Sequence, residues 1–109
     1  MQYVVAQTGS LVLEDYQAGV FNVPVVKELV ALANSNSIGL KEHNADYLTK
    51  SEIQLRKDIG VHAVNIAPQL GVIQTTVLEM LAKKYNLDLE WNSFANLVLS
   101  SNKWSKWTS

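Results

Sequence analysis

Strand-like and helix-like stretches alternate along this chain, and that alternation limits its fold more than any other feature. Gln2-Tyr3-Val4-Val5-Ala6-Gln7-Thr8 is rich in β-branched residues and stops at Gly9-Ser10, as a buried strand does. After a dozen irregular residues containing Glu14, Asp15 and Gly19, Asn22-Val23-Pro24 has the form of a helix start. Asn can cap, and Pro fits the first turn because its missing N–H would have no helical partner there. Val25, Leu29, Leu32 and Ala33 then recur at helical spacing, and Asn34-Ser35-Asn36-Ser37 ends the run.

A second strand is expected over Ile38–His43. The following Thr49-x-x-Glu52 is a capping box, which predicts a short helix over about 51–58 stopped by Gly60. Val61–Ala67 reads as a third strand closed by Pro68. A third helix is expected over about 71–85, with Ile73, Val77, Met80 and Leu81 on one face. Trp91, Phe94, Leu97 and Val98 suggest a further helix. The tail from Ser100 carries Trp104 and Trp107, whose spacing of three suits packing better than a binding platform.

Strand alternating with helix implies a parallel sheet with right-handed crossovers, the α/β class. Three strands are few for that class, since a (β/α)8 barrel needs eight. The expectation is a single-domain portion of a larger fold, with βα units over 1–85 and a helical tail over 86–109.

Composition narrows the function classes. Of the 109 residues 48% are hydrophobic and 17% charged, which suits strands buried on both faces. A formal charge of −1 gives nucleic acid no electrostatic foothold. Cysteine is absent, which removes disulfides, thiolate metal sites and cysteine nucleophiles together. The start, Met1-Gln2-Tyr3-Val4-Val5, lacks a basic region and a long apolar core, so no signal peptide or membrane span is expected and a cytoplasmic protein is. No phosphate loop, dinucleotide fingerprint, nucleophile elbow or zinc-protease motif occurs.

The densest chemistry lies in Lys41-Glu42-His43-Asn44-Ala45-Asp46-Tyr47, at the carboxyl end of the second strand. In parallel α/β folds ligands bind at such ends. His43 with Glu42 and Asp46 could serve a metal or acid–base chemistry. Strand alternation, however, puts Lys41 and His43 on one face and Glu42 on the other. The competing reading is a solvated loop. His62, at a strand start, reads as structural. Asn65 could bond a sugar hydroxyl or phosphate, or be a satisfied buried amide. Gln7-Thr8-Gly9 permits a sharp turn or close approach to a ligand.

Four ordered blocks resemble the last three βα units of the non-catalytic, Z-type accessory subunits of class II tagatose-1,6-bisphosphate aldolases. They are Val4-Val5-Ala6-Gln7-Thr8-Gly9, the helix opening near Pro24, the strand end His43-Asn44-Ala45-Asp46-Tyr47, and Asn65-Ile66-Ala67-Pro68. The resemblance covers Val4 to about Tyr85, and Lys103-Trp104-Ser105-Lys106-Trp107 also looks like a segment of that family. It implies strands six to eight of a TIM-type (β/α)8 barrel and a C-terminal fragment of an accessory subunit in carbohydrate catabolism. A separate zinc-dependent catalytic subunit would be the partner, a sugar phosphate the ligand, and an oligomer the working form. This chain itself would not be catalytic and would hold no cofactor. His43, Asp46, Tyr47 and Asn65 would be substrate-binding, with His43 also near the metal and Asp46 orienting the loop or binding a hydroxyl. Asn65 stands where better-known members carry Lys, and Lys41-Glu42 where they carry Glu-Ala; the expectation is a divergent branch with a different sugar. The alternatives are a portion of a metal-dependent sugar-phosphate aldolase or isomerase active in its own right, and a truncated product with no function of its own.

Overall fold

The computed structural model describes residues 1–107, apart from the side chain of Trp107, so a Trp104–Trp107 pairing lies outside the described residues. Three strands form a parallel sheet: β1 (Tyr3–Ala6), β4 (Gly39–Glu42) and β5 (Ala63–Val64), in the order β1-β4-β5. Tyr3 is in register with Gly39, and Lys41 with Ala63. The connections are α1 (Val23–Ser35) and α2 (Lys50–Ile59), which pack against one another. Between β1 and α1, where an irregular loop is expected, β2 (Val12–Leu13) and β3 (Tyr16–Gln17) form a two-stranded antiparallel hairpin. Glu14 at its tip takes a positive φ of 52°. Two residues per strand are too few for an alternating pattern to register in the sequence.

Local signals set the helix ends. Asn22 caps α1 by accepting from the Val25 N–H at 3.2 Å. Thr49 and Glu52 complete the capping box of α2, and Gly60 closes that helix in the left-handed region at φ 102°. Gly9, at φ 99°, has no room for a side chain, since a Cβ would stand 1.9 Å from the Val20 carbonyl oxygen. Its role is therefore the close approach of two backbone segments.

Two expected bounds move. The strand expected over Val61–Ala67 is regular only at Ala63–Val64. The next helix, α3 (Pro68–Lys84), opens at Pro68 rather than near Gly71. Proline at the first helical position is preorganised for the turn, so Pro68 starts the helix as well as ending the strand.

The core of this part is Val26, Val30 and Ala33 of α1 against Leu40 of β4, with Ala6, Phe21, Ile38 and Val61 around it. Of the expected stripe Val25, Leu29, Leu32, Ala33, Ala33 is in the core and Leu29 packs against it, whereas Val25 and Leu32 are exposed and Val26 and Val30 are buried instead. The 26/30/33 face meets β4, whereas Leu32 is 62% exposed because its side of the helix lies over the outer edge of β1, where the sheet ends. On the opposite sheet face Tyr3 and Val5 are about half exposed, and Tyr3 lies across Gly39.

Contacts divide the chain into two compact units, Met1–Leu70 and Gly71–Ser109. The second holds the rest of α3, α4 (Asp88–Ser100) and a 3-10 turn over Lys103–Trp107. Neither α3 nor α4 has a buried residue, so the Ile73, Val77, Met80, Leu81 stripe is exposed rather than core. Leu78, Leu81, Tyr85, Leu87, Trp91 and Phe94 line an apolar concavity of ≈ 380 Å³. No described helix is long and apolar enough to cross a membrane.

Candidate functional site

The polar cluster sits at the carboxyl ends of the three parallel strands, and alternation along β4 sorts it. Leu40 and Glu42 face the helices; Lys41 faces the opposite side. Glu42 is consequently 0% exposed, and a buried carboxylate needs a charged partner. Arg56, from α2, supplies it: Nε donates to Glu42 Oε2 at 2.6 Å and Nη2 to Oε1 at 3.0 Å. Thr8, at the end of β1, donates to Oε1 at 2.8 Å. The guanidinium also lies 4.0 Å over the Phe21 ring and donates from Nη1 to the Glu52 carbonyl. The pair joins β1, β4 and α2 at one point. Its geometry is the bidentate arrangement that offsets the desolvation of both charges.

Asp46, 1% exposed, is also committed to the fold. Its Oδ1 accepts from the backbone N–H of Ala67 at 2.8 Å and of Gln69 at 2.9 Å. These are among the donors left without partners at the start of α3, where a carboxylate also meets the positive end of the helix dipole. Asp46 is thus a helix cap for α3, supplied by the loop after β4. Gln69 reciprocates, its Oε1 accepting from the Tyr47 N–H at 2.8 Å.

Tyr47 has a left-handed backbone, at φ 61°. Its hydroxyl oxygen is out of solvent and has no hydrogen-bond partner in the described structure. Desolvation, then the carboxylates of Asp46 and Asp15, raise its pKa above the ordinary 10.0. The hydroxyl therefore stays protonated at neutral pH, a donor without an acceptor.

His43 is exposed at the tip of β4, and the contact made there is through its carbonyl, which accepts from Ser10 Oγ at 2.7 Å. Asn65 continues the ladder with its backbone: its N–H donates to the Glu42 carbonyl at 2.9 Å, and its carbonyl accepts from the Ala45 N–H at 3.0 Å. Its side chain is half-buried. His62 stands at the other end of the sheet, where Nδ1 accepts from the Leu40 N–H at 3.1 Å, a structural role. Asp46, Tyr47 and Asn65 are thus brought together by backbone ties, with His43 at the rim. Among the described residues no group of three or more His, Asp or Glu is placed to hold a metal ion.

Two contributors are not among the site residues expected from the sequence, Gln17 and Arg56. Gln17, on β3, donates from Nε2 to the carbonyls of Asn44 and Asp46, while its Oε1 accepts from the N–H groups of Leu11 and Gly19. It clamps the hairpin onto the loop after β4. Arg56 could have been found: Glu42 shares the face of Leu40, and a buried carboxylate there calls for a cation on the helix that packs against it.

Comparison with protein-family models, curated proteins and solved structures returned no match to this chain.

Proposed function

We propose that this chain is a portion of a TIM-type (β/α)8 barrel, its strands six to eight, of the tagatose-bisphosphate aldolase accessory-subunit kind. Its work is to support a separate catalytic class II aldolase subunit in cytoplasmic carbohydrate catabolism. The observation that carries the reading is the sheet: three parallel strands in sequential order joined by α1 and α2, with Tyr3 and Val5 about half exposed on the face away from α1. That is the arrangement of consecutive βα units whose inner face awaits the opposite barrel wall.

The site supports a non-catalytic role. Glu42 is neutralised by Arg56 and Asp46 caps α3, so two of the three groups available for acid–base or metal chemistry are committed to structure. His43 is the one left open at the strand mouth, where it would face a sugar phosphate or lie near the zinc of the partner subunit. Tyr47 and Asn65 would shape that mouth.

The test is co-expression with a class II aldolase catalytic subunit. The chain should slow heat inactivation of the aldolase activity, and His43→Ala should weaken the effect without unfolding the chain. Unchanged activity and unchanged inactivation rates would remove this reading.

A further inference from the structure

The β2–β3 hairpin is tied to the carboxyl end of the parallel sheet by two side chains. Ser10 Oγ donates to the His43 carbonyl at 2.7 Å. Gln17 Nε2 donates to the carbonyls of Asn44 at 2.7 Å and Asp46 at 3.1 Å. Among the described residues no backbone–backbone hydrogen bond joins residues 10–19 to the loop after β4. Leu11, Leu13 and Tyr16 are about half exposed, so the hairpin adds little to the core. An element held by a few polar bonds, with little apolar burial, opens more readily than the body that carries it.

The hairpin also has a neck about which it can turn. Its two legs meet at Gly9 and Gly19, where a Cβ on Gly19 would run into the Gly9 carbonyl oxygen and the Leu11 nitrogen. Just outside these glycines both legs are anchored. Thr8 donates to Glu42, and its carbonyl accepts from the Asn22 N–H at 3.1 Å. Just inside them the hairpin is braced as a unit. The Leu11 carbonyl accepts from the N–H groups of Ala18 and Gly19, and Gln17 Oε1 accepts from those of Leu11 and Gly19. Small residues between two braced bodies are where a hinge absorbs its change in φ and ψ.

We propose that residues 10–19 form a hinged lid over the mouth of the strands, turning at Gly9 and Gly19 and latched by Gln17. Closed, the lid keeps solvent from the Tyr47 hydroxyl, which is buried without an acceptor. Asp15, at the hairpin tip, is near enough for its charge to act on that phenol. A buried donor with no acceptor disfavours the closed arrangement, and water satisfies it once the lid lifts. Opening also frees the Asn44 and Asp46 carbonyls that Gln17 holds. The latch therefore controls access to the carboxyl ends of the strands, where parallel α/β folds bind ligands. The inference does not rest on the aldolase reading, and either can fail without the other.

Nuclear magnetic resonance on the full chain tests it. In the wild type, relaxation dispersion should show residues 10–19 and Tyr47 sharing one exchange process on the μs–ms timescale of lid motions. The sheet amides of Gly39 and His62 should show none. Gln17→Ala removes both bonds of the latch to the loop and should raise the open population about tenfold or more. The Tyr47 ring, labelled with carbon-13 and assigned through Tyr47→Phe, should then titrate closer to the ordinary 10.0 than in the wild type. If Gln17→Ala fails to fold, Ser10→Ala decides: it removes one tie and should raise the same population about fivefold. Flat wild-type dispersion over residues 10–19 would overturn the lid. So would a folded latch variant with an unchanged open population or unchanged Tyr47 titration, or one in which the sheet amides lose protection along with the hairpin.

Discussion

At the scale of single residues, the polar strand end turns out to be mostly architecture. Glu42 is the clearest instance. Its bidentate partner Arg56 is itself only 4% exposed, so removing either one strands a buried charge. Arg56→Met should destabilise the chain by about 3–5 kcal/mol, whereas Glu42→Leu combined with Arg56→Met should recover most of the loss, because a well-packed apolar pair carries no desolvation penalty. Urea unfolding of the singles and the double measures this. A double variant no better than the worse single would mean that the pair contributes through its bonds to Thr8 and Glu52 rather than through mutual neutralisation. The same logic separates Asp46 from His43. Both stand in one seven-residue cluster in the sequence, yet one carboxylate caps a helix while the imidazole is left exposed. Residue types alone could not divide them, because the division depends on where the start of α3 lies relative to the loop after β4.

At the scale of elements, what was legible followed from locality. Asn22, the Thr49–Glu52 box and Gly60 act within one turn of themselves, and each stands where its sequence context puts it. Ala33 and Leu29 of the α1 stripe meet the core, but Val26 and Val30 replace Val25 and Leu32, because both sets fit a helical period. Only the position of β4 chooses between them. The hairpin β2–β3 was hidden because its stability rests on the Gln17 clamp, whose partners lie far along the chain. The capping box gives a pH signature for α2. The Thr49 backbone N–H, then its hydroxyl, hold Glu52 below the ordinary carboxylate value of 4.5; desolvation opposes them, and the Arg56 charge adds a still smaller lowering. A carboxylate depressed in the folded state contributes stability that is present above its unfolded value and lost as pH falls through its folded value. Between neutral pH and pH values below 4.5, the wild type should therefore lose more stability than Glu52→Gln does. Equal pH dependence of the two proteins would show that the box contributes nothing through ionisation.

At the scale of the whole molecule, the α/β class and the parallel pairing of the strands are readable from alternation. The sparse burial is not. A 48% hydrophobic composition implies a large core, yet among the described residues the buried hydrophobic ones are Val26, Val30, Ala33, Leu40 and Ala45. Many others, including Val5, Leu32, Ile73, Val77 and Met80, remain exposed. Periodicity shows that a face is apolar; it does not show which polypeptide covers it. The barrel reading assigns both the exposed sheet face and the outer edge of β1 to further βα units. The most direct measurement is the heat-inactivation rate of a class II aldolase catalytic subunit with and without the co-expressed chain. The account predicts slower inactivation with the chain, an effect weakened by His43→Ala; unchanged activity and an unchanged inactivation rate would contradict it.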